Sequence, residues 1–267
     1  MWLAFMVVII PLGFVLYTVI SKGASIISGR FLTASIPPNV LPPNFGGMGP
    51  AVLGTILITA LATVMAVPIG ILGAIYINEY GGNRFLARFI RFMADVMTGV
   101  PSIVMGLFIF SIWVVHFGFS GLAGAFALGC LMLPIVIRST EVMLQLVPDS
   151  LREGSYALGA TKARVTGTVV LPAALGGIVS GALLAVARAA GETAPLLFTI
   201  LITFTPNANV FQGANTALAT QIFVNATQPY VGAQARAWGA ALTLIAIAFI
   251  LMIASRLVTA RFARYSR

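Results

Sequence analysis

Two charged side chains interrupt an otherwise apolar run, Ala173–Thr199: Arg188 and Glu192. Four residues apart, they share one face of a helix. Each ion held at membrane depth costs about 2.5–3.5 kcal/mol on insertion scales, so such residues face a bundle interior or a watery path. At 1.5 Å per residue, Arg188 stands roughly 22 Å from the inner end of the run. One reading is a pair that neutralises itself and pins helix packing. The other is a transient anion site, because the guanidinium offers a planar fork of donors suited to a tetrahedral oxyanion. Glu192 would then hold and balance the arginine when the site is empty, and Thr193 is grouped with them on the candidate path.

The second segment with chemistry to offer runs from Pro148 to Pro172 and reads P-D-S-L-R-E-G-S-Y-A-L-G-A-T-K-A-R-V-T-G-T-V-V-L-P. Asp149 or Ser150 can cap a short helix, with Arg152 and Glu153 in its first turns. Gly159 would let that helix turn or admit a partner's surface. Lys162 and Arg164 face water, and Pro172 opens the next apolar run. On composition alone this is a solvated amphipathic loop.

The elements that must position these residues are set by composition. Of 267 residues, 60% are hydrophobic and 8% charged, with a mean hydropathy of +1.04. A soluble domain carries about 25% charged residues, so a water-soluble globular enzyme is excluded. Runs long enough to cross a bilayer number six: Met1–Ile20, Ala51–Ile77, Phe92–Val115, Phe119–Ile137, Ala173–Thr199 and Trp238–Val258. The first run lacks a basic region ahead of it and a small-residue cleavage site, so it is expected to be a retained helix.

The net charge of +9 needs mapping before it means anything. One side of the expected membrane holds Arg84, Arg88, Arg91, Arg138, Arg152, Lys162, Arg164, Arg256, Arg261, Arg264 and Arg267; the other holds Lys22, Arg30 and Arg236. This asymmetry puts both termini in the cytoplasm and removes the case for nucleic-acid binding, since no soluble basic domain exists to do it. Residues 21–50 and 200–236 become outer loops, and neither contains an acidic residue. With no repeat and no long linker, residues 1–267 form one all-α transmembrane domain. Pro11, Pro68, Pro101 and Pro134 within spans imply kinks. Gly70, Gly73, Gly121, Gly124, Gly177 and Gly181 allow close helix approach. Arg84, Arg88, Arg91 and Asp95 fall on one helix face and read as snorkelling anchors. Arg138 and Glu141 mark an interface, His116 sits at headgroup level, and Cys130 packs as a small apolar residue. One Cys and one His leave no metal cluster to build, and no cofactor is expected.

Spacing adds a resemblance. Glu153, Gly159, Leu171 and Pro172, with Val169 for Ile, match the permease signature of ABC importers; Gly154 and Ser155 stand where that signature has two alanines. In that family the stretch, here residues 149–170, is a coupling helix seated in a cleft of the ATP-hydrolysing subunit. The resemblance thus implies contacts through Glu153, Gly154, Ser155, Ala157, Leu158 and Gly159. The run A-R-A-A-G-E-T-A-P-L from Ala187 is similar to that of the permeases of bacterial phosphate-specific ABC importers, as are stretches from Gly46, Gly99 and Leu133. This implies a type I ABC importer permease fold in the cytoplasmic (inner) membrane, translocating inorganic phosphate. It also implies two ATP-binding subunits, a second homologous permease, and an extracytoplasmic phosphate-binding protein as partners. No G-x-x-x-x-G-K-[ST] loop occurs, so ATP hydrolysis is expected of another subunit. An importer of sulfate or molybdate would share the coupling helix but should lack the R-A-A-G-E-T-A-P run. A secondary transporter is disfavoured by the absence of paired, interrupted repeats.

Overall fold

A computed structural model describes residues 2–37 and 46–263. Among these the regular secondary structure is all helix. In chain order the helices are α1 (Trp2–Gly23), α2 (Gly29–Thr33), α3 (Gly49–Gly81), α4 (Phe85–Gly99), α5 (Ser102–Phe117), α6 (Gly121–Gln145), α7 (Asp149–Ala157), α8 (Lys162–Ala190), α9 (Ala194–Thr199), α10 (Leu218–Ala226) and α11 (Val231–Ala263). Five of them, α1, α3, α6, α8 and α11, are long and apolar enough to cross a membrane alone. The pair α4 and α5 makes a sixth crossing only when taken together.

That pair departs from the expected single span Phe92–Val115. Its two helices meet at 107°, because Pro101 pushes Val100 out of the helical region (φ −73°, ψ 127°) and has no N–H to continue the ladder. The expected span Ala173–Thr199 is also broken. α8 stops at Ala190, since Pro195 would crowd the carbonyl of Gly191 four residues back, and the chain restarts as α9. α11 begins at Val231, ahead of the expected Trp238. Arg236, read as an outer-loop residue, therefore lies inside that helix and is buried, its Nη1 donating to the Pro37 carbonyl at 3.3 Å. Arg264 and Arg267 fall outside the described residues.

α3 and α6 form the spine. Ile58, Ala62 and Ala66 interleave with Ala125, Leu128 and Met132, and Ala189, Leu196 and Ile200 close this cluster from α8 and α9. A second cluster near the other end joins Ala74 of α3 and Leu144 of α6 to Val165, Val170 and Ile178 of α8. Small residues set the spacing. A Cβ on Gly70 would come within 2.7 Å of Val136, so α3 and α6 approach there only because the side chain is missing.

The segment after α9 holds the short helix α10 and dips into the bundle. Asn215 accepts the Gly121 N–H at 2.7 Å, and Thr55 accepts the Leu218 N–H at 2.8 Å. Gln221 donates to Thr216 at 2.9 Å, and Asn225 to Gln221 at 2.9 Å. These polar groups are buried and mutually satisfied. The end of the bundle with α10 is thus a closed polar cap, while the opposite, basic end carries α7.

Candidate functional site

Arg188 occupies the last turn of α8, where a cation meets the negative end of the helix dipole favourably. Glu192 follows in the turn between α8 and α9, its N–H donating to Ala189 O at 3.1 Å. The carboxylate lies 3.7 Å from Arg188 Nε, close enough to attract but too far to hydrogen-bond. The arginine side chain is 69% exposed and the glutamate 21%. The expectation of a cation buried within this chain is therefore corrected: because α8 ends two residues after Arg188, the guanidinium projects past the packed stretch of the helix. Among the described residues it donates no hydrogen bond, so its fork is free.

What it faces is a cavity of about 240 Å³. Ala185, Arg188, Ala189 and Glu192 line it on one side, with Leu131, Met132, Pro134 and Ile135 of α6 behind. The broken pair supplies the rest, from Met97 and Thr98 through Pro101 to Ser102. The break therefore opens polar backbone and two hydroxyl-bearing residues onto the arginine. Irregular backbone at membrane depth is tolerated only where it is buried or lines a cavity. α5 is held against this turn by Gly106, where a Cβ would meet Pro195 Cα at 2.6 Å. Thr193 does not line the cavity; its carbonyl accepts the Leu197 N–H at 3.2 Å and starts α9.

At the basic end, α7 buries none of its residues. Its start is Pro148 rather than a side-chain cap from Asp149 or Ser150, and Asp149 instead accepts from Arg152 at 3.0 Å. Its end follows the pattern in which Gly159, at φ +78°, turns the chain: Gly159 N–H bonds Tyr156 O at 2.9 Å and Ala160 N–H bonds Ser155 O at 3.2 Å. Ser155 Oγ donates to Leu151 O at 2.7 Å. Glu153, Gly154, Ala157 and Gly159 are exposed, and Leu158 is 89% exposed. Among the described residues Glu153 is the one acid without an ion pair.

Two arginine-centred networks escaped the sequence reading. Arg152 reaches back from α7 to Glu79 at 3.1 Å, and to the carbonyls of Leu144 at 2.9 Å and Val147 at 2.6 Å. Glu79 is buried in a π-helical turn at the end of α3. The second network joins α4 to α6. Arg91 Nε donates to Glu141 at 2.7 Å, Arg138 Nη1 donates to the other oxygen of Glu141 at 2.7 Å, and Arg138 Nε and Nη2 both grip Asp95. The only sequence signal was an acid just past the end of an apolar run, at Glu79 and at Glu141.

A helical bundle broken around a charged cavity, with an exposed helix at its basic end, has the architecture of a membrane permease. It resembles a solved inward-facing conformation of the MetNI methionine ABC transporter, with a TM-score of 0.62 at 21% identity, over 81% of this chain and 94% of that one. A family model described as "Binding-protein-dependent transport system inner membrane component" matches residues 66–264. The chain belongs to that family. Among curated relatives, phosphate transport system permease protein PstA 1 of Mycobacterium tuberculosis is 43% identical, over 96% of this chain and 83% of the relative. PstA of Yersinia pestis is 42% identical, over 92% and 83%. The protein is thus a multi-pass transport component of the inner membrane rather than itself a catalyst.

Proposed function

We propose that this chain is the permease subunit of an ATP-driven importer that moves inorganic phosphate, handed over by an extracytoplasmic binding protein at the α10 end. The observation that carries this is Arg188, whose guanidinium fork is aimed into a cavity at a helix break and held there only by a 3.7 Å ion pair to Glu192. A phosphate oxyanion takes two parallel N–H donors there, and Glu192 stays within Coulomb range to compete for the cation once the anion leaves. Its relatives' names favour phosphate among oxyanions of this shape.

The basic end faces the cytoplasm in this reading, and α7 seats in an ATP-binding subunit, of which two copies would serve this chain and a second, related permease. Glu153 offers an unclaimed charge to that partner, and Leu151, Tyr156 and Leu158 offer apolar surface. Arg188→Gln is expected to abolish phosphate uptake by the reconstituted transporter while the complex still assembles. Uptake with unchanged rate and affinity would reduce Arg188 to a packing residue.

A further inference from the structure

The network around Arg138 lies directly beneath the candidate phosphate cavity. Pro134 and Ile135 of α6 line the cavity, and Arg138 follows Pro134 by one turn. Thr98 of α4 lines it too, and Asp95 precedes Thr98 by one turn. α4 and α6 run in opposite directions, so both steps lead toward the basic end. An anion leaving Arg188 between these two helices next meets Arg138.

We propose that Arg138 is a second oxyanion station on the exit side of the cavity, with Asp95 as its displaceable counter-ion. This rests on the phosphate path through Arg188. The two acids on Arg138 are not equivalent. Glu141 is almost fully buried, its side chain 4% exposed, and it is shared with Arg91; Asp95 is 59% exposed. Glu141 therefore fixes the guanidinium through Nη1, while the fork of Nε and Nη2 is closed only by an exposed carboxylate. A phosphate oxyanion presents the same two-oxygen edge as a carboxylate and takes the same fork. Exchange keeps the Nε–Nη2 fork of Arg138 occupied by an anion while Nη1 stays on Glu141, so passage does not leave the arginine without a counter-charge. When the phosphate departs, Asp95 returns and ties α4 to α6 again beneath the cavity. Arg88, two turns further along α4 and exposed, continues the positive path toward water.

The rival reading is a plain structural clamp, and the two partners of the ion pair separate the readings. A clamp is lost equally from either side. A station needs the arginine and tolerates loss of its counter-ion. In proteoliposomes holding the complete transporter, Arg138→Gln is expected to slow phosphate uptake about tenfold or more, the loss of one charge-assisted fork. Its ATPase activity should stay coupled to binding-protein docking. Asp95→Asn, which leaves the arginine fork in place, is expected to cost several-fold less uptake than Arg138→Gln. Equal loss in both variants, or normal uptake by Arg138→Gln, overturns the proposal. Should Arg138→Gln fail to assemble, Arg138→Lys replaces it, expected to be slower than Asp95→Asn; equality again overturns it.

Inorganic phosphate loaded into the lumen identifies the occupant. It should slow uptake by the parent and not by Arg138→Gln, whereas a phospholipid headgroup on Arg138 would leave both indifferent and refute a transport station. Arg188→Gln run in parallel tells the two failures apart. If that variant transports normally, the cavity reading falls; if it is inactive while Arg138→Gln and Asp95→Asn match, only the second station falls.

Discussion

Arg152 and Glu153 are neighbours on α7 with opposite fates. Arg152 turns inward and spends its donors on Glu79, Asp149 and two carbonyls at the end of α6; Glu153 points outward with no ion-pair partner among the described residues. Removing Arg152 leaves Glu79, which is 8% exposed, with the Asn78 amide but no cation, and breaking such a pair costs about 3 kcal/mol. Arg152→Gln should therefore lower the melting temperature of the detergent-solubilised protein by several degrees. Glu153→Lys should leave melting unchanged and instead uncouple ATP hydrolysis from uptake. If the stability loss appeared in Glu153→Lys and not in Arg152→Gln, the inward and outward assignments would be reversed. None of this was visible in the sequence, where the two residues look like one solvated charge pair. Partners such as Arg152 with Glu79, or Arg91 with Glu141, are far apart along the chain and leave no periodic trace. Arg188 with Glu192 was legible because four residues of helix bring them together.

At the scale of elements, runs of twenty apolar residues are easy to see, and α1, α3 and α6 stand close to where composition put them. Hydropathy carries no angle, however. In the window Phe92–Val115 Pro101 implies a kink but not its size, and physically it turns the chain through 107°. At Pro195 the run Ala173–Thr199 reads as unbroken. Those two proline breaks meet: Gly106 of α5 rests on Pro195 at the start of α9. A bulky side chain there would drive the two elements apart, at the 1–3 kcal/mol typical of overpacking. Gly106→Leu should depress uptake severely while leaving the α7 end intact, so that co-purification with the ATPase subunit persists. Loss of that co-purification would mean the break supports the whole bundle rather than the cavity wall.

Across the whole molecule, positive charge crowds one end and a buried polar cap closes the other. By the positive-inside rule that polarity predicts the basic end on the cytoplasmic side, and the chain's one cysteine makes the orientation measurable. With Cys130 replaced by serine, a cysteine at Ser150 on α7 should react with a membrane-impermeant thiol reagent only after cells are broken. A cysteine at exposed Asn209, in the segment before α10, should react in intact cells. The reverse pattern would invert the topology. Charge asymmetry alone was enough to expect this arrangement, because basic residues resist translocation whatever the fold. The polar cap was not expected, since Asn215, Thr216 and Gln221 look like ordinary loop residues until their hydrogen bonds are traced.

A helix that buries nothing has a cost when its partner is late. Before assembly, α7 displays Leu158 and Tyr156 to water on a short segment anchored chiefly by Arg152, with flexible-backbone glycines at Gly154 and Gly159. Such a segment is an unfolding handle for membrane-bound proteases and a sticky surface for chaperones. On the proposed function, seating α7 in an ATP-binding subunit would hide the handle, and a copy made without that partner is expected to turn over faster than an assembled one.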